Sequence, residues 1–485
     1  MLPFLQARCP SGRVVATLIL GSLLTTLAAA QTVTVWDDEA LDVKPPAGLT
    51  DVVQISAYGG IALALRADGT VVAWGAFPKV NTVPAGLRNV TQVAAGWGYA
   101  MALKADGTVV TWGDVGSYVY PPVGLQNVVK IAASWSHCMA LRSDGRVICW
   151  GDNELGALDV PAGLKDVVGI AAGTDLSAAL RSDGTVVRWG LFPEDPTLAV
   201  PEGLTDVVQI ASHSWDIIAL KSDGTLVTWG WDLPMSTFAT GLSDITQVAM
   251  GEGFALALRS DGRVVAWNRQ KSWQPSVPGG LTNVVQVAAG DFGMAIREPL
   301  RVQLDQTAVY AGEVATGSVT LANPAGASGL QVALISSDPS VQVPATVRVA
   351  PGQYTATFPV TTSLFFGPVR AVNVGGSLNG ARPKPFRLEV VGQTSSLSSN
   401  TPSFVGGSTT KPQLTVTLGW TSWVDTVLSL ASSDPSVRLP ASVTIPAGQT
   451  SAKVEAVHVP VPSDRSVSLD AAYQGEKVAS ASVSV

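Results

Sequence analysis

The chain has 485 residues, of which 46% are hydrophobic and only 14% charged, with a formal net charge of −7. That length allows two to four domains. An acidic chain without a lysine or arginine cluster excludes nucleic acid as a partner, because neutralised phosphates supply most of such affinity. The 48 glycines and 31 prolines suit many short strands joined by tight turns.

Residues 1–30 carry Arg8 and Arg13, an apolar stretch from Val14 to Leu27, and three alanines before Gln31. This is the pattern of a secretory signal cleaved near Ala30. The apolar stretch is shorter than the ~20 residues of a spanning helix, and no other segment approaches that length. The expected product is secreted, periplasmic or on the cell surface, with no membrane span. Losing two arginines and no acid takes its charge from −7 to −9. Cys9 precedes the apolar run, so it is no lipid anchor.

A repeat of about 38 residues follows. Asp-Gly pairs begin at Asp68, Asp106, Asp144, Asp183, Asp223 and Asp261, and each aspartate is followed six residues later by a tryptophan: Trp74, Trp112, Trp150, Trp189, Trp229 and Trp267. Linkers of the Pro-x-Gly-Leu kind end at Leu49, Leu87, Leu125, Leu164, Leu204, Leu242 and Leu281, with Ala239 replacing the proline of the sixth. After the seventh linker only the first half of a unit remains, "TNVVQVAAGDFGMAIRE". The missing half lies at the other end, where "TVTVW" (32–36) overlays "TVVAW" (70–74).

Within one copy, "VVQISAYGGIALALRADGTVVAWG", three short runs of strand character are separated by a glycine-rich turn and by Asp-Gly, a strong hairpin signal. A two-residue turn at Asp68-Gly69 would pair Leu65 with Val72, Leu63 with Trp74 and Ala64 with Ala73, giving one bulky face and one small face. Sheets of this kind stack on copies of themselves. Seven arranged radially close into a β-propeller whose last blade takes inner strands from 284–297 and an outer strand from 32–36. The expected architecture is all-β: a seven-bladed propeller over 31–299, then two tandem β-sandwich domains.

Cys138 and Cys149 flank the third Asp-Gly turn. In the same register they are diagonal neighbours roughly 7 Å apart, too far for an unstrained disulfide, which favours free thiols.

Past Arg297 a longer repeat begins: "SSDPSVQVPATVRVAPGQ" (336–353) recurs 96 residues later as "SSDPSVRLPASVTIPAGQ" (432–449). Strand rhythm and size predict immunoglobulin-like sandwiches over 300–392 and 393–485, joined by "VGQTSSLSSN" at 391–400.

The unit "VVQVAAGxxxxxALRSDGTVVAWG" resembles the repeat of the regulator of chromosome condensation family in a short form, over about residues 32–297. Within that superfamily the short blades, the "VP" linkers, the split closing blade and the leader resemble the exported β-lactamase inhibitor type. That likeness implies a protein target held by turn aromatics on one face. The two further domains depart from that type.

Strand direction alternates, so turns between the first and second strands share one rim with the loops after each tryptophan, and Asp-Gly turns share the other. The Asp-Gly rim is monotonous. The opposite rim varies: "YGGI", "GWGY", "SWSH", "GTDL", "HSWD", "GEGF" and "GDFG" are the first turns, while "AFPKVNT", "DVGSYVY", "LFPEDPT" and "WDLPMST" follow tryptophans. Variation confined to one rim marks a recognition surface, with Tyr58, Trp97, Tyr99, Trp135, His137, Asp175, Trp215, Asp216, Phe254, Asp291 and Phe292 as its candidate residues. The repeated tryptophans from Trp36 to Trp267 are core instead.

The repeated aspartates are explained by their turns rather than by calcium. No HExxH, GxSxG or phosphate-binding glycine loop occurs, and no cofactor or metal is expected. The leading reading is a monomeric, non-catalytic binding protein for a protein partner, with the sandwiches as spacer or surface attachment. Carbohydrate is the alternative, and catalysis by rim carboxylates Asp175, Asp216, Glu252 and Asp291 stands third.

Overall fold

A computed structural model describes residues 31–36, 43–114, 119–192, 194–195, 198–230, 242–268, 276–378, 383–401, 403, 411–461 and 463–485. The leader and its cleavage point lie outside these residues. Among the described residues the chain is all-β apart from one short helix at Pro78–Asn81, and it divides between Pro299 and Leu300 into two compact units.

The first unit holds seven three-stranded antiparallel sheets among the described residues. Sheet 1 comprises Val52–Tyr58, Ile61–Arg66 and Val71–Gly75, and sheet 2 Val90–Gly96, Tyr99–Lys104 and Val109–Gly113. Sheet 3 is Val128–Ala133, His137–Arg142 and Val147–Gly151, and sheet 4 is Val167–Ala172, Leu176–Arg181 and Val186–Gly190. Sheet 5 is Val207–His213, Asp216–Lys221 and Leu226–Gly230, and sheet 6 is Ile245–Gly251, Phe254–Arg259 and Val264–Asn268. Sheet 7 draws on both ends of the unit: Val284–Ala289 pairs with Gly293–Arg297, which pairs with Thr32–Trp36.

The hairpin register differs by one residue from the two-residue turn expected at Asp-Gly. Leu65 pairs with Val71, Leu63 with Ala73 and Ala62 with Trp74. Gly69 N donates to Arg66 O at 2.9 Å and Arg66 N to Thr70 O at 2.9 Å, the pattern of a three-residue loop with a glycine bulge. Gly69 alone takes positive φ, at 77°, while Asp68 turns its carboxylate onto Thr70 N and Oγ1 at 2.9 and 2.6 Å. The aspartate is therefore chosen as an acceptor and not for left-handed backbone.

That shift redistributes the faces. Each tryptophan lies with the alanines of the middle strand, and the leucines face the other way. One sheet's leucine face packs on the next sheet's alanine-tryptophan face: Leu63 and Leu65 meet Ala100, Ala102 and Trp112. The same pattern recurs from sheet to sheet and ends with Met294 and Ile296 of sheet 7 against Ala62, Ala64 and Trp74 of sheet 1. All seven repeated tryptophans are buried.

Side-chain amides reinforce the cycle on the first strands. Gln54 accepts from Val93 N at 2.9 Å and donates to Val93 O at 3.2 Å, and Gln92, Gln209 and Gln247 repeat the bridge onto Ile131, Val248 and Val287. Gln286 closes it onto Ile55 at 3.0 and 3.4 Å. Lys130 and Gly169 occupy the remaining two positions.

The same register sets Cys149 opposite Met139 and Trp150 opposite Cys138, so the two cysteines point to opposite faces and both are free.

The second unit has two separate cores. Leu300–Leu304, Val314–Leu321, Thr355–Thr362 and Val341–Gln342 form one sheet, and a five-stranded sheet including Leu330–Ser336, Arg370–Ser377 and Phe386–Val391 covers the same core. The second core is built likewise by residues from Leu397 to Val485. The segment expected as a joint is partly strand: Ser395–Ser399 pairs with Gln413–Leu418, because Leu397 is buried while serines face outward. Gln393, also buried, donates to Trp420 O at 3.0 Å, and the Tyr310 ring meets Trp420 at 4.5 Å, tilted by 44°.

If the ring is one cooperative body, Trp36→Ala in the short N-terminal strand costs ~3–5 kcal/mol. Urea unfolding of the first unit would show it as a single displaced transition rather than local fraying.

Candidate functional site

The two rims are built differently. On the Asp-Gly side four of the six turn glycines are held by the next sheet: Val90 N donates to Gly69 O, Val128 N to Gly107 O, Val207 N to Gly184 O and Val284 N to Gly262 O, at 3.0–3.2 Å. A Cβ on Gly69 would stand 3.2 Å from Asn89 backbone. This rim is monotonous because its backbone carries the contact between sheets.

On the opposite rim the first turns also bond to their neighbours through backbone, as in Trp97 N to Ser134 O at 3.1 Å and Asp291 N to Gly59 O at 3.2 Å. Their side chains are free to differ. The exposed aromatics of the first unit among the described residues are Trp97, Tyr120, Trp135, Phe192 and Trp215, and all lie in first turns or in loops after a third-strand tryptophan.

Six of the expected contact residues do not lie at the surface. Tyr99, His137, Asp216 and Phe254 occupy the register position of Ile61, the first of their middle strands, Phe292 immediately precedes the middle strand of sheet 7, and all five are buried. The first four continue the inward alternation of Ile61, Leu63 and Leu65, so they belong to the strand rather than to the turn. Tyr99 donates its hydroxyl to His137 O at 3.0 Å, and His137 Nε2 lies 2.8 Å from Ser177 Oγ, tying sheets 2, 3 and 4 together. That Ser–His contact is wholly buried and meets no solvent.

The sixth is Tyr58. It ends the first strand of sheet 1 and stacks on His213, the equivalent residue of sheet 5, at 4.6 Å and 26°. These sheets are not neighbours in the cycle, so the two rings meet across its centre. Gly96, Ser134, Gly173, Gly251 and Gly290 hold the matching positions in five of the sheets and leave the room. The pair is a plug, which corrects the anchor role expected of Tyr58. Burial pushes the Tyr58 hydroxyl up to about 12 and His213 down to about 4.

Five expected residues remain at least partly accessible. Trp97, Trp135 and Trp215 are 37%, 48% and 36% exposed, and Asp175 is half-buried. Trp97 stacks on Trp135 at 4.3 Å and 22°, while Phe77, from the loop after Trp74, meets Trp97 edge-on at 5.6 Å. A Cβ on Gly59 would approach Trp97 to 2.8 Å, so the stack needs glycine beneath it. Ser136 Oγ donates to Asp175 Oδ1 at 3.1 Å. Asp291 is also half-buried, and burial with the nearby Glu252 pushes its carboxyl up to about 6. Sequence reasoning missed Phe77 as a partner of Trp97, though its loop was visibly variable. No group of three or more His, Cys, Asp or Glu converges as a metal site among the described residues.

With this geometry in view, residues 90–118, 128–157 and 245–267 match the family described as Regulator of chromosome condensation (RCC1) repeat. The match is to the repeat. No curated protein matches the chain. Among solved structures, Prp20p from Saccharomyces cerevisiae, described with its binding to Gsp1p and histones, is 19% identical; 52% of this chain and 84% of that one are covered, with a TM-score of 0.43. The CRINKLY WD40 ectodomain of the Arabidopsis thaliana receptor kinase ACR4 is 19% identical over 49% of this chain and 88% of that one, TM-score 0.40.

His137 and His213 both have folded values near 4, below the ordinary 6.5, through burial. The unfolded chain then takes up protons first as pH falls, and stability is lost between about 6.5 and 4. Urea midpoints measured across that window should fall, and His213→Phe, which keeps the stacked ring, should flatten the slope by about one proton.

Proposed function

We propose that residues 31–299 form a seven-bladed β-propeller with a split closing blade and that 300–392 and 393–485 are immunoglobulin-like β-sandwiches. The exported, monomeric chain is a non-catalytic binding protein that holds a protein partner on the rim opposite the Asp-Gly turns. The observation that carries this reading is the accessible aromatic set, Trp97, Trp135 and Trp215, on turns whose backbone is already anchored. Large, rigid side chains on a fixed frame lose little entropy on binding and are the usual hot spots. The resemblance to the exported β-lactamase inhibitor type supports a protein target. Export rests on the sequence of residues 1–30 alone, and the sandwiches serve as spacer or surface attachment.

Of the four carboxylates of the catalytic alternative, Asp216 is buried and Asp175 accepts a hydrogen bond from Ser136, while Asp291 lies near Glu252.

The test is capture from the native secretome by the intact protein and by the triple variant Trp97→Ala, Trp135→Ala, Trp215→Ala, with thermal melts to show that both fold. At ~2 kcal/mol or more for a hot spot, capture falls at least ~30-fold. Equal capture by the variant refutes the rim. Binding on a glycan array with no protein captured would replace the partner class by carbohydrate.

A further inference from the structure

Resting on that reading, we propose that the rim takes an arginine side chain of its partner at the junction of Trp135 and Asp175. The stack of rings runs in one direction around the rim: Trp97 covers Gly59 of the preceding sheet, and Trp135 covers Trp97. Trp135 is the last aromatic of this stack and the most exposed of the three first-turn tryptophans. The next residue, Ser136, is buried and bonds to Asp175 Oδ1 at 3.1 Å. That hydrogen bond ties the Asp175 carboxylate to the residue that follows the terminal tryptophan in the chain.

The φ of Asp175 is +55°, a conformation that aspartate tolerates better than most residues. Among the described residues no cation pairs with it. By contrast Lys79, beside Phe77, is already paired with Asp114 at 2.5 Å.

The charge of the first turns has one sign: Asp175, Glu252 and Asp291 lie there with no lysine or arginine, and the cation of the neighbouring loop, Lys79, is paired with Asp114. A cation is therefore the complement, and an indole face next to a carboxylate selects its shape. A guanidinium is planar and weakly hydrated, so it can lie on the tryptophan while its fork of N–H donors meets the carboxylate. An ammonium satisfies the charge but not the stacking.

The test uses the full chain labelled with 15N-tryptophan, its indole signals assigned through Trp97→Phe and Trp135→Phe. The probes are the capped tripeptide Gly-Arg-Gly and the same peptide with citrulline, equal in size but uncharged. The arginine peptide should shift the Trp135 and Trp97 signals with a dissociation constant of roughly millimolar order, as expected of one side chain. Citrulline should bind at least ~10-fold more weakly, and Asp175→Asn should weaken the arginine peptide about fivefold with an unchanged melting temperature. Equal shifts with citrulline, no effect of Asp175→Asn, or no shift by tens of millimolar would each overturn the proposal. Capture that needs the three tryptophans but ignores Asp175→Asn would leave the binding rim standing and remove the arginine alone.

Discussion

Everything in the first unit depends on one packing relation: the leucine face of each three-stranded sheet against the alanine-and-tryptophan face of the next. A sheet of three short strands has two apolar faces and no way to bury either alone. Stacking buries one face per contact, and a linear stack would still leave two faces wet. Closure removes both, and the contact of Met294 and Ile296 with Ala62 and Trp74 is where that happens. In the closing sheet the residue opposite the tryptophan must be small, since Trp36 lies across from Gly293, where a Cβ would stand 2.2 Å from the indole.

From that relation the division of labour between the rims follows. An Asp-Gly turn needs glycine twice, once for its positive φ and once for the backbone of the next sheet that lies against it. The positive φ recurs at every copy and the close approach at Gly69, Gly107, Gly184 and Gly224, so the turn keeps its glycine. On the other rim, where first turns bond to one another, the contacts run through main-chain N–H and C=O groups, which any residue supplies. Side chains there are released from the fold. A scaffold of this design can hold aromatic residues rigidly in water without using them to hold itself together.

The second unit repeats the logic at a longer interval. In "SSDPSV" Ser336 donates to Asp338 O at 3.0 Å and Asp338 accepts from Ser340 N at 2.7 Å, and Ser432, Asp434 and Ser436 do the same at 2.9 and 2.8 Å. The recurring words are therefore turn chemistry. The join between the two cores is no loose linker, because Gln393 N donates to Phe365 O at 2.8 Å while its side chain holds Trp420.

The number of repeats, the split of the last one between the two ends, the core role of the tryptophans and the identity of the variable rim were all legible in the chain, because spacing and alternation are properties of a line of residues. Register was not. Whether Asp-Gly closes a two-residue or a three-residue loop depends on a bulge of one residue, and that slip moved every tryptophan from the leucine face to the alanine face. Nor could order along the chain separate Trp97 and Trp135 from Tyr99 and His137, two residues away in each turn: exposure depends on what the neighbouring sheet covers. Periodicity determined what repeats; the meeting of Tyr58 with His213 over the centre, and of Ser136 with Asp175 at the edge, was decided only when residues about 40 to 150 positions apart were brought together by closure of the ring.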